Sequence, residues 1–140
     1  MGFAFDETMA GTFELTKEPG VPYPLRFRAT VHAPWIGSKC EMTGTIEAAP
    51  IAKDAPFEGR MILRPFLGRI IRYELEFAGD DGRRYTLAGQ KDIKLFDLAR
   101  SWTTLPAEIK DDRGAVVATC ETRFDMAREA LAFISSFRPA

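Results

Sequence analysis

The stretch that decides the fold is "IIRYELEFAGDDGRRYTLAGQKD", Ile70 to Asp92. Its first arm places Ile71, Tyr73, Leu75 and Phe77 on one side, with Arg72, Glu74 and Glu76 on the other. Its second arm separates Tyr85, Leu87, Gly89 and Lys91 from Arg84, Thr86, Ala88 and Gln90. Strict alternation of this kind belongs to a strand with one dry and one wet face. Between the arms, "AGDDGRR" supplies Asp and Gly for a tight turn, because Gly accepts the positive φ that hairpin turns need. The stretch is therefore a β-hairpin.

The same period runs outward in both directions. "LRFRATVH" sets Leu25, Phe27, Ala29 and Val31 against Arg26, Arg28, Thr30 and His32. "KCEMTGTIE" sets Cys40, Met42, Gly44 and Ile46 against Lys39, Glu41, Thr43, Thr45 and Glu47. "FEGRMIL" gathers Phe57, Gly59, Met61 and Leu63. "KDDRGAV", Lys110 to Val116, reads as a second Asp/Gly hairpin turn. "KEPGVPYP" (Lys17 to Pro24) and "AAPIAKDAP" (Ala48 to Pro56) read as loops, since proline cannot donate to a ladder. The count is about eight strands, near 8–16, 24–33, 39–48, 57–65, 70–78, 83–91, 102–110 and 115–124. In "DMAREALAFISSF" the period changes. Asp125 suits an N-cap, and Met126, Ala130, Phe133, Ile134 and Phe137 recur at three and four, which predicts an amphipathic helix over about 125–137.

Sequential strands joined by hairpin turns point to an all-β chain with one C-terminal helix. The sheet is expected to close as a lipocalin-like (calycin-like) antiparallel barrel, because closure removes exposed edges. A two-layer β-sandwich is the alternative that the same pattern serves. With 140 residues, the chain reads as a single domain, 1–140.

Composition excludes several function classes. The chain is 46% apolar and 28% charged, with net charge −1 and pI near 5.9. No basic surplus exists to neutralise phosphates, so nucleic acid is not an expected partner. No run approaches the roughly 18 apolar residues of a membrane span, and the N-terminus lacks a signal-peptide pattern. The expected compartment is the cytoplasm, with Cys40 and Cys120 as packed free thiols.

Motifs for chemistry are sparse. There is no GxGxxG, no phosphate-binding GxxxxGK[ST] and no CxxC. No cofactor and no metal is expected, because the single histidine, His32, lies on a wet strand face and the two cysteines are far apart. Asp80, Asp81, Asp111 and Asp112 are turn residues. Asp6 and Glu7 precede the first expected strand, and Glu74 and Glu76 lie on a wet face. No catalytic residue is assigned.

Lys91 has two readings. Either the strand ends before it and the ammonium reaches solvent, or it points inward at the barrel's end and meets a polar group on an apolar ligand. Gly44, Gly59 and Gly89, also inward, mark curvature or leave room in the lumen. "SWTTL" (Ser101 to Leu105) opens the next strand, with Trp102 as core cap or pocket wall. "IKLFDLAR" between them can form a helical turn, with Leu95, Phe96 and Leu98 as a lid or core cover. Tyr73, Tyr85, Lys91 and Trp102, gathered at one end, together with Met42 and Met61, form the candidate ligand-binding set.

"RIIRYELEFAGDDGRRYTLAGQKDIKLFDLARSWTTL" and "GAVVATCETRFDMAREALAFISSFR" resemble a β-rich accessory domain appended to bacterial glucose–methanol–choline (cholesterol-oxidase-like) oxidoreductases. The resemblance is carried by Tyr73, Leu75, Phe77, Leu87, Gly89, Lys91, Asp92, Trp102, Thr103, Thr104, Phe137 and Arg138, and by "FDETMAG" near the start. Here the domain is expected as a stand-alone chain, with "IKLFDLAR" in place of an acidic loop. The resemblance implies an accessory module for lipid or sterol chemistry and an oxidoreductase as partner, without a flavin site of its own.

Three functions follow as expectations. The first is non-catalytic binding of a hydrophobic small molecule of lipid or sterol class. The second is an interaction module for a separately encoded flavin-dependent oxidoreductase. The third is an isomerase or cyclase in the lumen, using Tyr or Lys as acid or base; its sign would be a lumen-facing Lys91 or Tyr73 with a strongly shifted pKa.

Overall fold

A computed structural model of the chain describes residues 2–34, 39–64, 69–94, 101, 103–124 and 126–139, apart from the side chains of 126–130. The expected helical turn and lid at Leu95, Phe96 and Leu98, the Asp125 cap and Trp102 lie outside the described residues, as do the side chains of Met126 and Ala130.

Eight strands follow one another: β1 (Gly2–Leu15), β2 (Pro22–Pro34), β3 (Lys39–Ala48), β4 (Ala52–Arg64), β5 (Ile70–Ala78), β6 (Arg84–Asp92), β7 (Thr104–Lys110) and β8 (Val116–Arg123). A helix, α1 (Met126–Ser135), and a two-residue strand, β9 (Arg138–Pro139), come after them. Each barrel strand pairs antiparallel with its sequence neighbours, and β1 pairs with both β2 and β8. Pairing of β1 on both edges closes the sheet. The fold is thus an all-β, lipocalin-like closed barrel, and the sandwich alternative is set aside.

The alternation read from the sequence is the inside/outside alternation of this barrel. Phe13, Leu25, Phe27, Ile46, Leu75, Phe77, Leu87, Leu105 and Ile109 fill the interior. Four turns, at 16–21, 49–51, 79–83 and 111–115, cluster at one end, here the turn end. Gly82 and Gly114 each take a φ of 81° there, as the hairpin reading required. The opposite end carries α1 and the start of β1, and is called the helix end.

Three local expectations are corrected. First, β1 begins at Gly2, so Asp6 and Glu7 lie inside a strand rather than ahead of it. Second, prolines do enter strands. Pro22 and Pro24 pair with β1 but precede the β2–β3 ladder, which starts at Arg26. Pro56 pairs with β3 ahead of the β4–β5 ladder, which starts at Phe57. In each case a strand edge is unpaired where the donor is missing, so no ladder hydrogen bond is lost. Third, α1 turns Ile134 outward at 66% exposure, along with Leu131 at 80%. Of its expected inner face, Phe133 packs on the core against Phe5 and Phe124, and Phe137, just past the helix, stacks on Phe5.

The inward glycines are occupied by neighbouring backbone rather than by open lumen. A Cβ on Gly44 would collide with the Arg28 carbonyl, and one on Gly59 with the Glu74 carbonyl. These positions let the sheet coil tightly. Gly44→Val should therefore lower stability by about 1–3 kcal/mol through overpacking against backbone that cannot rotate away. Thr45→Val, on the outer face of the same strand, should stay within about 0.5 kcal/mol of the parent. Urea unfolding midpoints measure both.

Candidate functional site: a buried carboxylate, phenol and ammonium in the barrel

Three side chains meet inside the helix-end half of the barrel. Glu7 enters from β1, Tyr73 from β5 and Lys91 from β6. Their exposures are 8%, 1% and 3%. The register explains the meeting. Tyr73 pairs with Gly89, and Ile71 pairs with Lys91, so Tyr73 and Lys91 point inward one step apart on adjacent strands. The small Gly89 leaves room beside the Tyr73 ring. Closure then brings Glu7 across from the other side of the sheet.

The Tyr73 hydroxyl donates to Glu7 Oε1 at 2.5 Å. Lys91 Nζ lies 3.8 Å from the same oxygen and 5.0 Å from the centre of the Tyr73 ring. Nζ is thus close enough to Glu7 for charge attraction but beyond direct hydrogen-bond reach. Its position over the ring adds a cation–π contact. The solvent-seeking reading of Lys91 is corrected: the strand runs on to Asp92, and Glu7 offsets the burial of the ammonium.

Burial pushes the Tyr73 phenol well above its ordinary value, with the Glu7 charge and hydrogen bond adding to the rise. Burial pushes the Lys91 ammonium down, partly opposed by Glu7. Both directions favour neutral forms, as expected where water is excluded.

One more polar atom is buried nearby. Thr122 Oγ1, on β8, has no hydrogen-bond partner among the described residues. Thr122 pairs with Leu105 on β7. Continuing the Gly89–Ala107 register by two residues brings Lys91 level with Leu105. Thr122 therefore stands two strands from Lys91, about 10 Å across the sheet at normal strand spacing. Glu7, Lys91 and Thr122 are the buried polar or charged residues among those described.

The wall beside Glu7 is interrupted. The β1–β8 ladder covers Ala10–Leu15 and stops at the Ala10–Arg123 pair. Over the preceding residues the C-terminal segment takes the place of β8. The Asp6 N–H donates to Ser136 Oγ at 2.8 Å, and Arg138 reaches the Asp6 carboxylate at 3.3 Å. Phe5 packs against Phe137 and Phe133, at ring separations of 4.9 and 5.6 Å. β9 pairs with Phe3 and Ala4. So α1 and its tail plug a seam in the barrel directly beside the carboxylate.

The candidate set read from the sequence divides. Tyr73, Lys91 and Met61 come together, Met61 being the cross-strand partner of Tyr73. Met42 is buried on β3, opposite Val31 and Gly59. Tyr85 belongs to the other end. It pairs with Phe77, four residues from Tyr73 and so about 13 Å further along the strand. Its hydroxyl donates to Asp81 at 2.7 Å, and it lines a turn-end concavity of about 540 Å³ with Leu15, Ile51 and Val117. Glu7 and Thr122 were missed. The signal for both was an exception to period: Glu7 shares parity with Phe5, Met9 and Phe13, and Thr122 with Ala118 and Cys120.

The formal charges of the cluster cancel: one basic, one acidic and one phenolic side chain. Among the described residues no group of three His, Cys, Asp or Glu side chains is arranged to hold a metal ion. Comparison with family models, curated proteins and solved structures finds no match to this chain.

Removing one buried charge strands the other. Lys91→Met alone should destabilise by about 3 kcal/mol, while Glu7→Gln with Lys91→Met should recover most of that loss. Denaturant unfolding of the two singles and the double tests this, and additive losses would show that the pair is not coupled.

The tyrosines set the alkaline limit together with the buried thiols Cys40 and Cys120, both pushed up by burial, Cys120 to about 12. Tyr85 is pushed up to about 12 by burial and its Asp81 hydrogen bond, Tyr73 lies well above 10.0, and Tyr23 is raised by its hydrogen bond to Glu18. Between pH 10 and 12 the unfolded chain loses phenol protons that the folded chain keeps. Stability therefore falls as pH rises through this window. Lys91 has the opposite sign, because its folded value is below 10.5 and the unfolded chain binds the extra proton, so its contribution rises with pH up to that point. Tyrosinate absorbance should stay low at pH 10 and rise together with loss of the fold, rather than ahead of it.

Proposed function

We propose that the barrel binds an apolar small molecule of lipid or sterol class, without turning it over, and that the ligand's polar end sits against Glu7, Tyr73 and Lys91. The observation that supports this most is a neutral, hydrogen-bonding cluster buried in an otherwise apolar interior. Ligand sites are mostly apolar, with a few placed polar groups that fix orientation. Neutrality selects the ligand head. A hydroxyl or carbonyl can exchange hydrogen bonds with the cluster, whereas a carboxylate would bury an uncompensated charge. Entry is at the seam beside Glu7, beneath α1. The compartment is read as cytoplasmic, in keeping with the buried free thiols Cys40 and Cys120, and no nucleic acid is a partner on this reading.

A second reading keeps the resemblance to the oxidoreductase-linked accessory domain: an interaction module for a separately encoded flavin-dependent enzyme. The outward Leu131 and Ile134 on α1 favour it, because exposed apolar pairs suit contact with another protein. The lumenal isomerase or cyclase is favoured by the inward Tyr73 and Lys91 and their shifted proton affinities.

Tyr73→Phe gives the sharpest test of ligand binding. It removes one hydroxyl from the cluster that meets the ligand's polar end, so binding of a sterol or long-chain alcohol should weaken roughly tenfold, the loss of one hydrogen bond. Thr122→Val and Tyr85→Ala, both away from the cluster, should leave that affinity unchanged, and Thr122→Val should stabilise the free protein by about 1 kcal/mol because it removes an unpartnered buried hydroxyl. Displacement of a fluorescent reporter measures all three variants. A fatty acid that outcompetes the alcohol, or Tyr85→Ala weakening binding more than Tyr73→Phe, would overturn the proposal.

A further inference from the structure

We infer that Lys91 captures an apolar aldehyde or ketone as an imine, with Glu7 as its counter-ion and proton carrier. This rests on reading the helix-end lumen as a ligand site, and it names the ligand's head group as a carbonyl.

The geometry carries it. An ammonium serving only as a structural clamp sits within charge-assisted hydrogen-bond distance of its carboxylate, about 2.7–2.9 Å. Lys91 Nζ stands at 3.8 Å, while the short contact to Glu7 Oε1 belongs to Tyr73. The nitrogen is held near the acid without being saturated by it. It lies at the end of a four-carbon stem that is itself buried, inside a wall of Ile71, Tyr73 and Met61. A lysine desolvated in an apolar pocket is the setting in which amines act as nucleophiles toward carbonyls. The lowered proton affinity of Lys91 agrees with that setting. Glu7 supplies what an exposed lysine lacks, an adjacent base to take the ammonium proton and an acid to return it.

The step balances within the cluster. Lys91 passes one proton to Glu7, leaving a neutral amine and a carboxylic acid. The nitrogen lone pair forms a C–N bond with the carbonyl carbon, and the C=O π bond opens onto oxygen. A nitrogen proton moves to that oxygen, giving a neutral carbinolamine. The Glu7 acid then protonates the hydroxyl, the C–O bond breaks, and one water leaves. The product is a protonated imine beside the Glu7 carboxylate. Charge is unchanged from the starting pair, and no oxidant or reductant takes part. The Tyr73 hydroxyl keeps the Glu7 oxygen in place throughout.

The test uses dodecanal and dodecanol on the full chain at neutral pH, with borohydride added to fix any imine. The expected result is one dodecyl group per chain, located on Lys91 by peptide mapping and suppressed by excess dodecanol. Exposed lysines, without an adjacent buried carboxylate, should label at least tenfold less. Glu7→Gln should slow labelling at least tenfold when read at saturating dodecanal, where a change in affinity does not enter. If Glu7→Gln fails to fold, the mapped site in the parent protein decides alone. Dodecanol that binds while fixed label is absent from Lys91, or spread over surface lysines, overturns the imine and leaves the binding site standing. Neither compound displacing a reporter, with no label at Lys91, overturns both.

Discussion

Everything in this molecule depends on β1 being hydrogen-bonded along both edges. A sheet of eight antiparallel strands has two open edges, each a row of unpaired amides ready to pair with another chain. Pairing β1 with β2 along its whole length, and with β8 over Ala10–Leu15, removes them. The second ladder is shorter than the first, so the N-terminal part of β1 has lost one neighbour. The chain fills that place with its own end: β9 pairs with Phe3 and Ala4, Ser136 accepts from the Asp6 amide, and Phe133 and Phe137 cover Phe5. The seam is therefore closed by side chains and a short tail, in place of a ladder. Glu7 projects inward from this stretch.

A carboxylate and an ammonium inside an apolar barrel are a poor way to gain stability. Each loses most of its hydration, and their mutual attraction roughly breaks even against an apolar pair of the same volume. Here the attraction acts over 3.8 Å without a direct hydrogen bond, which weakens the stability argument further. What the arrangement does secure is proton placement. Tyr73 is held neutral as a donor, Lys91 is brought closer to its neutral form, and Glu7 lies between them. On the proposed reading, the cluster is explained by the ligand it would meet rather than by the stability it adds.

The fold was legible because alternation is a local property. Ile71, Tyr73, Leu75 and Phe77 announce their face within seven residues, and Gly82 and Gly114 announce their turns. The site was legible only in part, because alternation gives a face and says nothing of level. Tyr73 and Tyr85 share an inward parity on one hairpin, yet the register sets them at opposite ends. Lys91 was recognised as inward-capable, but its partner sits on a strand far away in sequence, and only closure of the barrel joins them. Glu7 was hidden because the alternation read for the first strand begins near residue 8 whereas β1 begins at Gly2, which turned an acid on a dry face into a loop acid. Pro22, Pro24 and Pro56 misled in the same way: proline forbids a paired edge, and each of these strands still had one edge free. On α1, a period of three and four identifies a face, but how far the barrel wall extends beneath it decides whether Ile134 is covered.

The two ends of the barrel are held differently, and this bears on where the proposed ligand would enter. At the turn end, Arg83 bridges Asp111 and Asp112 at 3.3 and 2.8 Å, Tyr85 bonds Asp81, and the Asp80 carboxylate accepts from the Lys53 amide. These links join neighbouring hairpins, so moving one turn drags the next. At the helix end, among the described residues, the plug is joined to β1 by three aromatic contacts, the two-residue β9 pairing with Phe3 and Ala4, one amide–hydroxyl bond and one exposed ion pair. Aromatic contacts are worth about 0.5–1.5 kcal/mol each beyond their area, and an exposed ion pair at most about 1 kcal/mol. Lifting α1 and its tail therefore breaks a handful of weak links and leaves the eight-strand ladder untouched. Opening the turn end would strain hairpins on several strands at once. Passage beside Glu7 is the less demanding route into the barrel, and it leads directly to the polar cluster.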